Sequence, residues 1–354
     1  MTRRTWRGVL RRLEAVLGAV LVNACGRAAR ADWAAANASP LNPWTGGCGR
    51  CHGRGMDMLR MHEIAEAGHR ILNPFTEEKL MLLGEVCRLR PAQRQLDLAC
   101  GKGEMLCRWA DAFGIEGHGV DISEVFVPLA RARAAELGVA DRVTFELGEA
   151  AAAVRAMTGA ATPAMTEPTP ADTEATRSDI EAARAIVDAA HADIEAARAD
   201  IEAAPAERRQ YHQYDIASCI GATWIGGGLA GTVALMRPAV RDGGLLLLGE
   251  PYWAEDTPEE AYAALNMLGG EFATLEGTLD RIEAAGLELL EMVLADGDSW
   301  DRYVAEQWWT VSDWLRENAG SPDAPAMREY LETSRRTHLR YQRRYLGWGV
   351  FVCR

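Results

Sequence analysis

Lysine is nearly missing from this chain: Lys79 and Lys102 are the only two in 354 residues, against 36 arginines. With alanine abundant, that bias has the look of coding-DNA base composition, so clusters of arginine carry little weight as signs of recognition. Long apolar runs are missing too. None reaches the ~18 residues that a membrane span needs, and no stable span is expected. Cysteine is sparse, eight in all, which excludes a secreted disulfide scaffold and makes a reducing cytoplasm the expected compartment. Positive charge is in short supply: Lys+Arg is 38 against Asp+Glu 51, a net of −13. A field of that sign argues against a general binder of nucleic acid or anionic membrane. What is present is a soluble composition, 48% hydrophobic and 25% charged, with chain enough for a full core.

The charge is unevenly spread. Residues 1–55 carry nine arginines and two acids (Glu14, Asp32), a net of +7, leaving −20 for the rest. Trp6, Val9, Leu10, Leu13, Val16, Leu17, Val20 and Leu21 recur at helical spacing between arginines, an amphipathic basic helix if it folds. Three readings compete: a signal peptide with Ala29-Arg30-Ala31 as its cleavage site, a membrane-surface helix, and a dispensable extension before Met56. The last is favoured, because ordinary protein-like patterning begins at Met56. The Cys48-Gly-Arg-Cys51-His52 motif in this arm is read as a chance match. Haem attachment requires export, zinc needs four ligands, and no metal site is expected. A second unusual stretch, 151–210, is Thr/Pro/Ala-rich and then repeats every seven residues, with Ile180, Val187, Ile194 and Ile201 one heptad apart and alanines three later. It predicts an inserted helix over 179–204 whose seam would either dock on its own domain or pair with a second copy as a dimer.

The remainder alternates strand and helix. Apolar runs at Gln95–Ala99, Gly117–Asp121, Arg142–Glu146, Tyr214–Ile220, Gly244–Gly249, Leu287–Leu294 and Gly349–Cys353 read as strands. Helices are expected at 103–113, 123–137, 228–237 and 274–285. Such alternation argues an α/β doubly wound sheet.

The chemistry sits at the first strand–helix turn, Asp97-Leu-Ala99-Cys100-Gly101-Lys-Gly103-Glu104. Gly101 and Gly103 let the backbone approach a ligand closely, and Asp121, at the end of the second strand, is placed to accept hydrogen bonds from ribose hydroxyls. A dinucleotide fingerprint needs a small residue three positions after its second Gly. Leu106 stands there, which disfavours NAD or FAD and points to S-adenosylmethionine. Cys100 and Cys107 have no paired base, so nucleophilic catalysis is not expected of them.

From this turn onward the chain resembles the class I S-adenosylmethionine-dependent methyltransferases, closest to poorly characterised bacterial enzymes of small-molecule type. The resemblance covers Met58–Arg354 apart from 151–210. Its motifs are His69-Arg-Ile-Leu-Asn73-Pro-Phe-Thr-Glu-Glu-Lys79, Asp97–Leu106, Gly119-Val-Asp-Ile122, Cys219-Ile-Gly-Ala-Thr-Trp224-Ile-Gly-Gly227, Gly249-Glu-Pro-Tyr-Trp253, Glu291–Asp296, Trp300-Asp-Arg-Tyr303 and Gly347–Phe351. It implies a Rossmann-like seven-stranded sheet of order 3-2-1-4-5-7-6 with the last strand antiparallel. It implies further that Asp97, Ala99, Gly101 and Gly103 surround the methionine part of the cofactor, that Asp121 binds the ribose, that Ile122 packs on the adenine and Glu149-Ala150 flank it, and that Cys100 and Cys219 are also cofactor-binding. Ala99 departs from the usual Gly, and Glu149 from a frequent Asp. The Asp/Asn-Pro-Pro-aromatic motif of base-amino methyltransferases and the Pro-Cys nucleophile of cytosine enzymes are both missing, so nucleic acid is not the expected acceptor.

Methyl transfer asks mostly for positioning, with a base only where the acceptor must lose a proton. Glu250 and Tyr252, at the end of the fifth strand, and His69, before the cofactor turn, are the candidates to orient or deprotonate an acceptor. Trp224, Asn73, Trp253 and Tyr303 are candidates for its walls. Asp301-Arg302-Tyr303 is expected to meet a polar acceptor group, His338 to face solvent, and the aromatic-rich segment 297–346 to form a helical lid over a small-molecule acceptor. The alternative is a cofactor-binding regulator or scaffold without transferase activity.

Overall fold

A chain of alternating apolar strands and helices must cover both faces of its sheet, and the computed structural model, which describes residues 56–158, 214–267 and 270–354, shows how this is done. Seven strands form one sheet: β1 (Arg94–Leu98), β2 (Glu116–Asp121), β3 (Val143–Leu147), β4 (Tyr214–Ile220), β5 (Val240–Trp253), β6 (Leu289–Leu294) and β7 (Leu346–Cys353). Their order is β3-β2-β1-β4-β5-β7-β6. β7 is antiparallel to both neighbours, and the pairings around β1 and β4 are parallel. Order and orientation are those expected. The arm 1–55, the heptad segment 179–204 and the dimer expected through it lie outside the described residues.

Helices α1 (Met58–Ala65), α2 (Glu77–Val86), α3 (Glu104–Phe113), α4 (Phe126–Glu136), α5 (Ala150–Thr158), α6 (Leu229–Met236), α7 (Glu259–Leu265), α8 (Leu275–Ala284), α9 (Gly297–Glu317) and α10 (Ala324–Thr337) complete the fold. Several start where a side chain satisfies a free N–H. Asp57 accepts from Leu59 N, Thr76 from Lys79 N, Thr274 from Gly277 N and Asp296 from Ser299 N. Leu106 and Trp109 of α3 with Val127 and Ala130 of α4 cover one face of the sheet. Val154 of α5, Val233 and Met236 of α6 and Ile282 of α8 cover the other. Each such buried side chain contributes roughly 1.5–3 kcal/mol of transfer free energy.

Several boundaries shift from the reading of hydropathy by a few residues, and two of the shifts have a clear physical reason. β5 runs on to Trp253 because Glu250–Trp253 pair with Gly349–Leu346 of β7, so a partner strand, and not apolarity, sets its length. Residues 151–158, expected to open the insertion, belong to α5, with Ala153 and Val154 in the core.

The segment 297–346 is helical as expected. α9 and α10 close on α1 through Met61, Ile64, Val311, Met327, Tyr330 and Leu331. His338 corrects an expectation: it is 1% exposed, with Nε2 2.9 Å from Asp301 Oδ1 and Nδ1 3.1 Å from Gln342 Oε1. Asp301, which also takes Arg343 Nε at 2.7 Å, is thereby consumed within the lid and does not face an acceptor. No helix among the described residues is long and apolar enough to cross a membrane.

Candidate active site

The parallel register places Asp97 of β1 opposite Gly119 of β2 and Ser218 of β4, so the carboxyl ends of three strands open into one crevice where the strand order reverses. The loop from β1 to α3 folds back sharply there. Ala99, Gly101 and Gly103 all have positive φ, 57°, 54° and 68°, a region glycine enters freely and alanine at a cost. Asp121 ties the loop down. Its Oδ2 accepts from Gly101 N at 2.8 Å and its Oδ1 from Ser123 N at 2.9 Å. Beneath it, Asp97 accepts from Ser218 Oγ at 2.6 Å. Burial pushes the Asp97 carboxyl up to about 7 against that hydrogen bond, and nearby Asp121 adds to the rise. Burial likewise raises Asp121 and the Cys100 thiol, so Cys100 is held as a thiol and is no nucleophile.

The crevice continues into a cavity of about 1700 Å³. A single small-ligand pocket is typically ~300–1000 Å³, so this one exceeds the size of an ordinary single-ligand site. One end is the β1–α3 loop. The other lies under α9 and α10, walled by Phe75, Tyr262, Phe272, Tyr303, Tyr330 and Trp348. Among the described residues no group of three or more His, Cys, Asp or Glu is arranged to hold a metal ion.

Residues 89–157 match a family profile described as a methyltransferase domain. A SAM-dependent methyltransferase of Geobacter sulfurreducens, solved with S-adenosylhomocysteine, is 37% identical, and the match covers 85% of this chain and 99% of that one with a TM-score of 0.66. This chain belongs to the S-adenosylmethionine-dependent methyltransferases. A second, from Thiobacillus denitrificans and also in complex with S-adenosylhomocysteine, is 35% identical over 84% of this methyltransferase and 99% of its own chain, TM-score 0.65. The Escherichia coli K12 protein YjhP is 36% identical over 299 residues, 84% of this chain and 98% of its own length.

In this methyltransferase the cavity gathers most of the residues singled out by sequence. Asp97, Ala99, Cys100, Gly101, Asp121 and Ile122 line its loop end, with Glu149 and Ala150 beside them. Glu149 is spent locally, capping α5 by accepting from Ala152 N and standing 3.5 Å from Arg155. Asn73, Trp224, Glu250 and Tyr303 line the remainder. Glu250 is 2% exposed. Its Oε2 accepts from Thr223 Oγ1 at 3.1 Å, while its Oε1 is buried without a partner. Burial pushes this carboxyl up to about 7, opposed by Thr223 and by the charge of Arg281.

Five residues fall outside the cavity lining. Gly103 turns into the core, where a Cβ would meet Phe145. Cys219 is fully buried on the far face of the sheet. Tyr252 follows Glu250 on the same face of β5, but its ring closes over Gly347 of β7, whose lack of a side chain makes the room. Trp253 packs in the core, edge-on to Tyr262 at 4.7 Å. The His69 ring lies behind Tyr303, 4.7 Å between centroids.

A polar cluster that sequence reasoning missed joins α1 to the lid. Glu66, 1% exposed, accepts from Tyr303 Oη at 2.6 Å and from Gln307 Nε2 at 2.7 Å. His69 Nδ1 is 2.9 Å from its other oxygen, and Tyr330 Oη donates to Gln307 at 2.8 Å. Burial raises the Glu66 pKa, but the hydrogen bond from His69, the charges of His62 and His69 and the hydrogen bond from Tyr303 outweigh it, and the carboxylate is held below its ordinary value. Lys102 joins the cluster from the β1–α3 loop. Its Nζ donates to the carbonyls of Glu66, Ala67 and His69 at 2.7, 3.0 and 2.6 Å. The single available signal was that Lys102 is one of two lysines and lies inside the glycine turn.

Proposed function

We propose that this methyltransferase binds S-adenosylmethionine at the β1–α3 loop and transfers its methyl group to a small molecule enclosed under α9 and α10. The observation that carries the reading is one continuous cavity of about 1700 Å³ running from Asp97 and Asp121 to the lid.

The residues present fit the cofactor. Ile122 is 47% exposed although it sits in the cavity next to buried Asp121, an apolar side chain with nothing laid on it, as a stacking face for adenine requires. Asp121 retains lone pairs for ribose hydroxyls after accepting two backbone N–H groups. Asp97, which lines the same end of the cavity, would take the ammonium of the methionine part. Ala99, Cys100 and Gly101 supply the backbone around it, and Glu149-Ala150 stand at the base edge.

When bound, S-adenosylmethionine supplies an activated methyl on a sulfonium, open to in-line displacement. The protein's part is to hold the acceptor at ~3–3.5 Å in line with that methyl and to exclude water. The lid and α1 close the cavity, and the aromatic faces of Trp224 and Tyr303 form walls for the acceptor, worth roughly 0.5–2 kcal/mol where one faces a cation. Glu250 is the buried group placed to orient the acceptor. His69 and Tyr252 have no such access, and Trp253 supports the wall from behind.

Calorimetry with S-adenosylmethionine and S-adenosylhomocysteine tests the cofactor site. Transfer of labelled methyl into a metabolite extract tests the chemistry. Tight cofactor binding with no turnover would favour the regulatory alternative, and absence of binding would sink both.

A further inference from the structure

Resting on that reading, we infer that the acceptor is a small amine with an apolar body, held as an ammonium by the buried carboxylate of Glu250. The inference starts from an imbalance in the cavity wall. Seven acidic side chains line it (Glu66, Asp97, Glu104, Asp121, Glu149, Glu250 and Glu271) against His62 and three cationic ones, Arg70, Lys102 and Arg281; Glu104 and Glu149 are paired with Arg133 and Arg155, which leaves five acids. All three cations are already engaged. Arg70 pairs with Glu136 at 3.3 Å, Lys102 donates to three carbonyls, and Arg281 donates to the carbonyls of Glu271 and Gly270 at 2.9 and 2.8 Å.

The unmet groups are oxygens. Glu250 Oε1 and Asn73 Oδ1 are buried in the wall with no partner. A buried polar atom left unpaired costs about 1–3 kcal/mol; burial favours a proton on Glu250 in the empty cavity, and a cation brought against it favours the ionised form, which offers only acceptors. The molecule that relieves this cost must bring N–H or O–H donors. Buried, ionised Glu66 behind Tyr303 and the aromatic faces of Trp224, Tyr262 and Trp348 favour a positive charge there over a neutral hydroxyl, and oppose a carboxylate or phosphate.

The chemistry closes. Glu250 takes one proton from the ammonium, and the freed nitrogen lone pair forms the new N–C bond as the C–S bond of the donor breaks. S-adenosylhomocysteine leaves as a neutral thioether, the positive charge stays on the methylated nitrogen, and Glu250 returns its proton to water after product leaves.

The test uses the full chain saturated with S-adenosylhomocysteine and two matched trios of probes: phenethylamine, phenethyl alcohol and hydrocinnamate, then hexylamine, hexanol and hexanoate. Binding is measured by calorimetry or saturation-transfer NMR, in the native protein and in Glu250→Gln. The amines are expected to bind about tenfold or more tighter than their alcohol and acid counterparts, and to lose about tenfold in Glu250→Gln, with S-adenosylhomocysteine affinity unchanged. Equal or tighter binding of the alcohols or acids overturns the inference. So does amine binding indifferent to Glu250→Gln, or no amine binding at all. Failure of S-adenosylhomocysteine itself to bind the native protein would instead overturn the cofactor reading.

Discussion

Lys102 Nζ donates to the backbone carbonyl of Glu66 at 2.7 Å, so a side chain from the glycine turn caps the end of α1, whose C-cap carboxylate takes Tyr303 and Gln307 of the lid. Two further carbonyls, of Ala67 and His69, take the same ammonium. The cofactor loop and the lid side of the cavity are joined through this one group. Lys102→Met should cost about 3 kcal/mol, because it leaves three carbonyls without their charged donor. Urea denaturation checks that figure. Calorimetry should show weaker S-adenosylhomocysteine binding in the same variant. A destabilised protein with unchanged cofactor affinity would mean that Lys102 serves the fold alone.

Asp97 makes the cofactor site pH-dependent. Its carboxyl is raised to about 7 by burial, with Asp121 adding to the rise and Ser218 opposing it, and the Cys100 thiol stays protonated alongside. In the unfolded chain it ionises near 3.8. Between those values the empty folded protein holds a proton that the unfolded chain does not, so this stabilising contribution is complete below the unfolded value and is lost as pH rises through about 7. Glu250, raised from 4.5 to about 7, acts in the same sense, and the unliganded protein should melt at a higher temperature at pH ~6 than at pH ~8. Cofactor binding should run the other way. A cationic ligand needs Asp97 ionised, so its affinity should fall about tenfold from pH ~8 to pH ~6. Calorimetry at the two pH values checks this, and Asp97→Asn should flatten the dependence.

The sheet is legible in the sequence because short strand-like stretches alternate with segments of helical spacing, and β5 and β7 hold near-continuous apolar runs; the glycine turn is legible because glycine tolerates its backbone. Element ends set by pairing are not. Nothing local in Glu250–Trp253 shows that β7 will hold it in the sheet. His338 sits in an arginine-rich helix that reads as solvent-facing, and is buried because Asp301, far back in α9, bonds to it. The Glu66 cluster is further out of reach, since Tyr303 and Gln307 lie 237 and 241 residues from their partner, and no spacing rule spans such a gap. Glu250 and Tyr252 were indistinguishable as polar residues two apart on one strand face. Gly347 separates them, by giving the tyrosine ring a place to go.

Ala99 carries a measurable strain. Its φ of 57° is the left-handed region, which costs a residue with a Cβ about 1–2 kcal/mol. Ala99→Gly removes that cost and adds roughly 0.5–1 kcal/mol of chain entropy to be lost on folding, so a net gain of up to about 1.5 kcal/mol is expected, read as a higher melting temperature with cofactor affinity preserved. Ala99→Val, branched at Cβ in the same conformation, should cost about 2–3 kcal/mol and weaken cofactor binding as the loop shifts.

Asp121 has two duties that substitution can separate. Both carboxylate oxygens accept backbone N–H groups, from Gly101 and Ser123, and each keeps a further lone pair on a residue that lines the cavity. Asp121→Ala strips the loop of these acceptors and should lose both stability, by about 1–3 kcal/mol, and nearly all cofactor affinity. Asp121→Asn keeps one oxygen for the loop and turns the other position into a donor. It loses one of the two backbone acceptors and should be destabilised by less than Asp121→Ala, about 1 kcal/mol, while S-adenosylhomocysteine affinity falls about tenfold, because an amide N–H meets a ribose hydroxyl that must then reverse its own hydrogen bond. Thermal melts paired with calorimetry decide the matter. If Asp121→Asn binds the cofactor as the native protein does, Asp121 organises the loop and leaves the ribose to its neighbours.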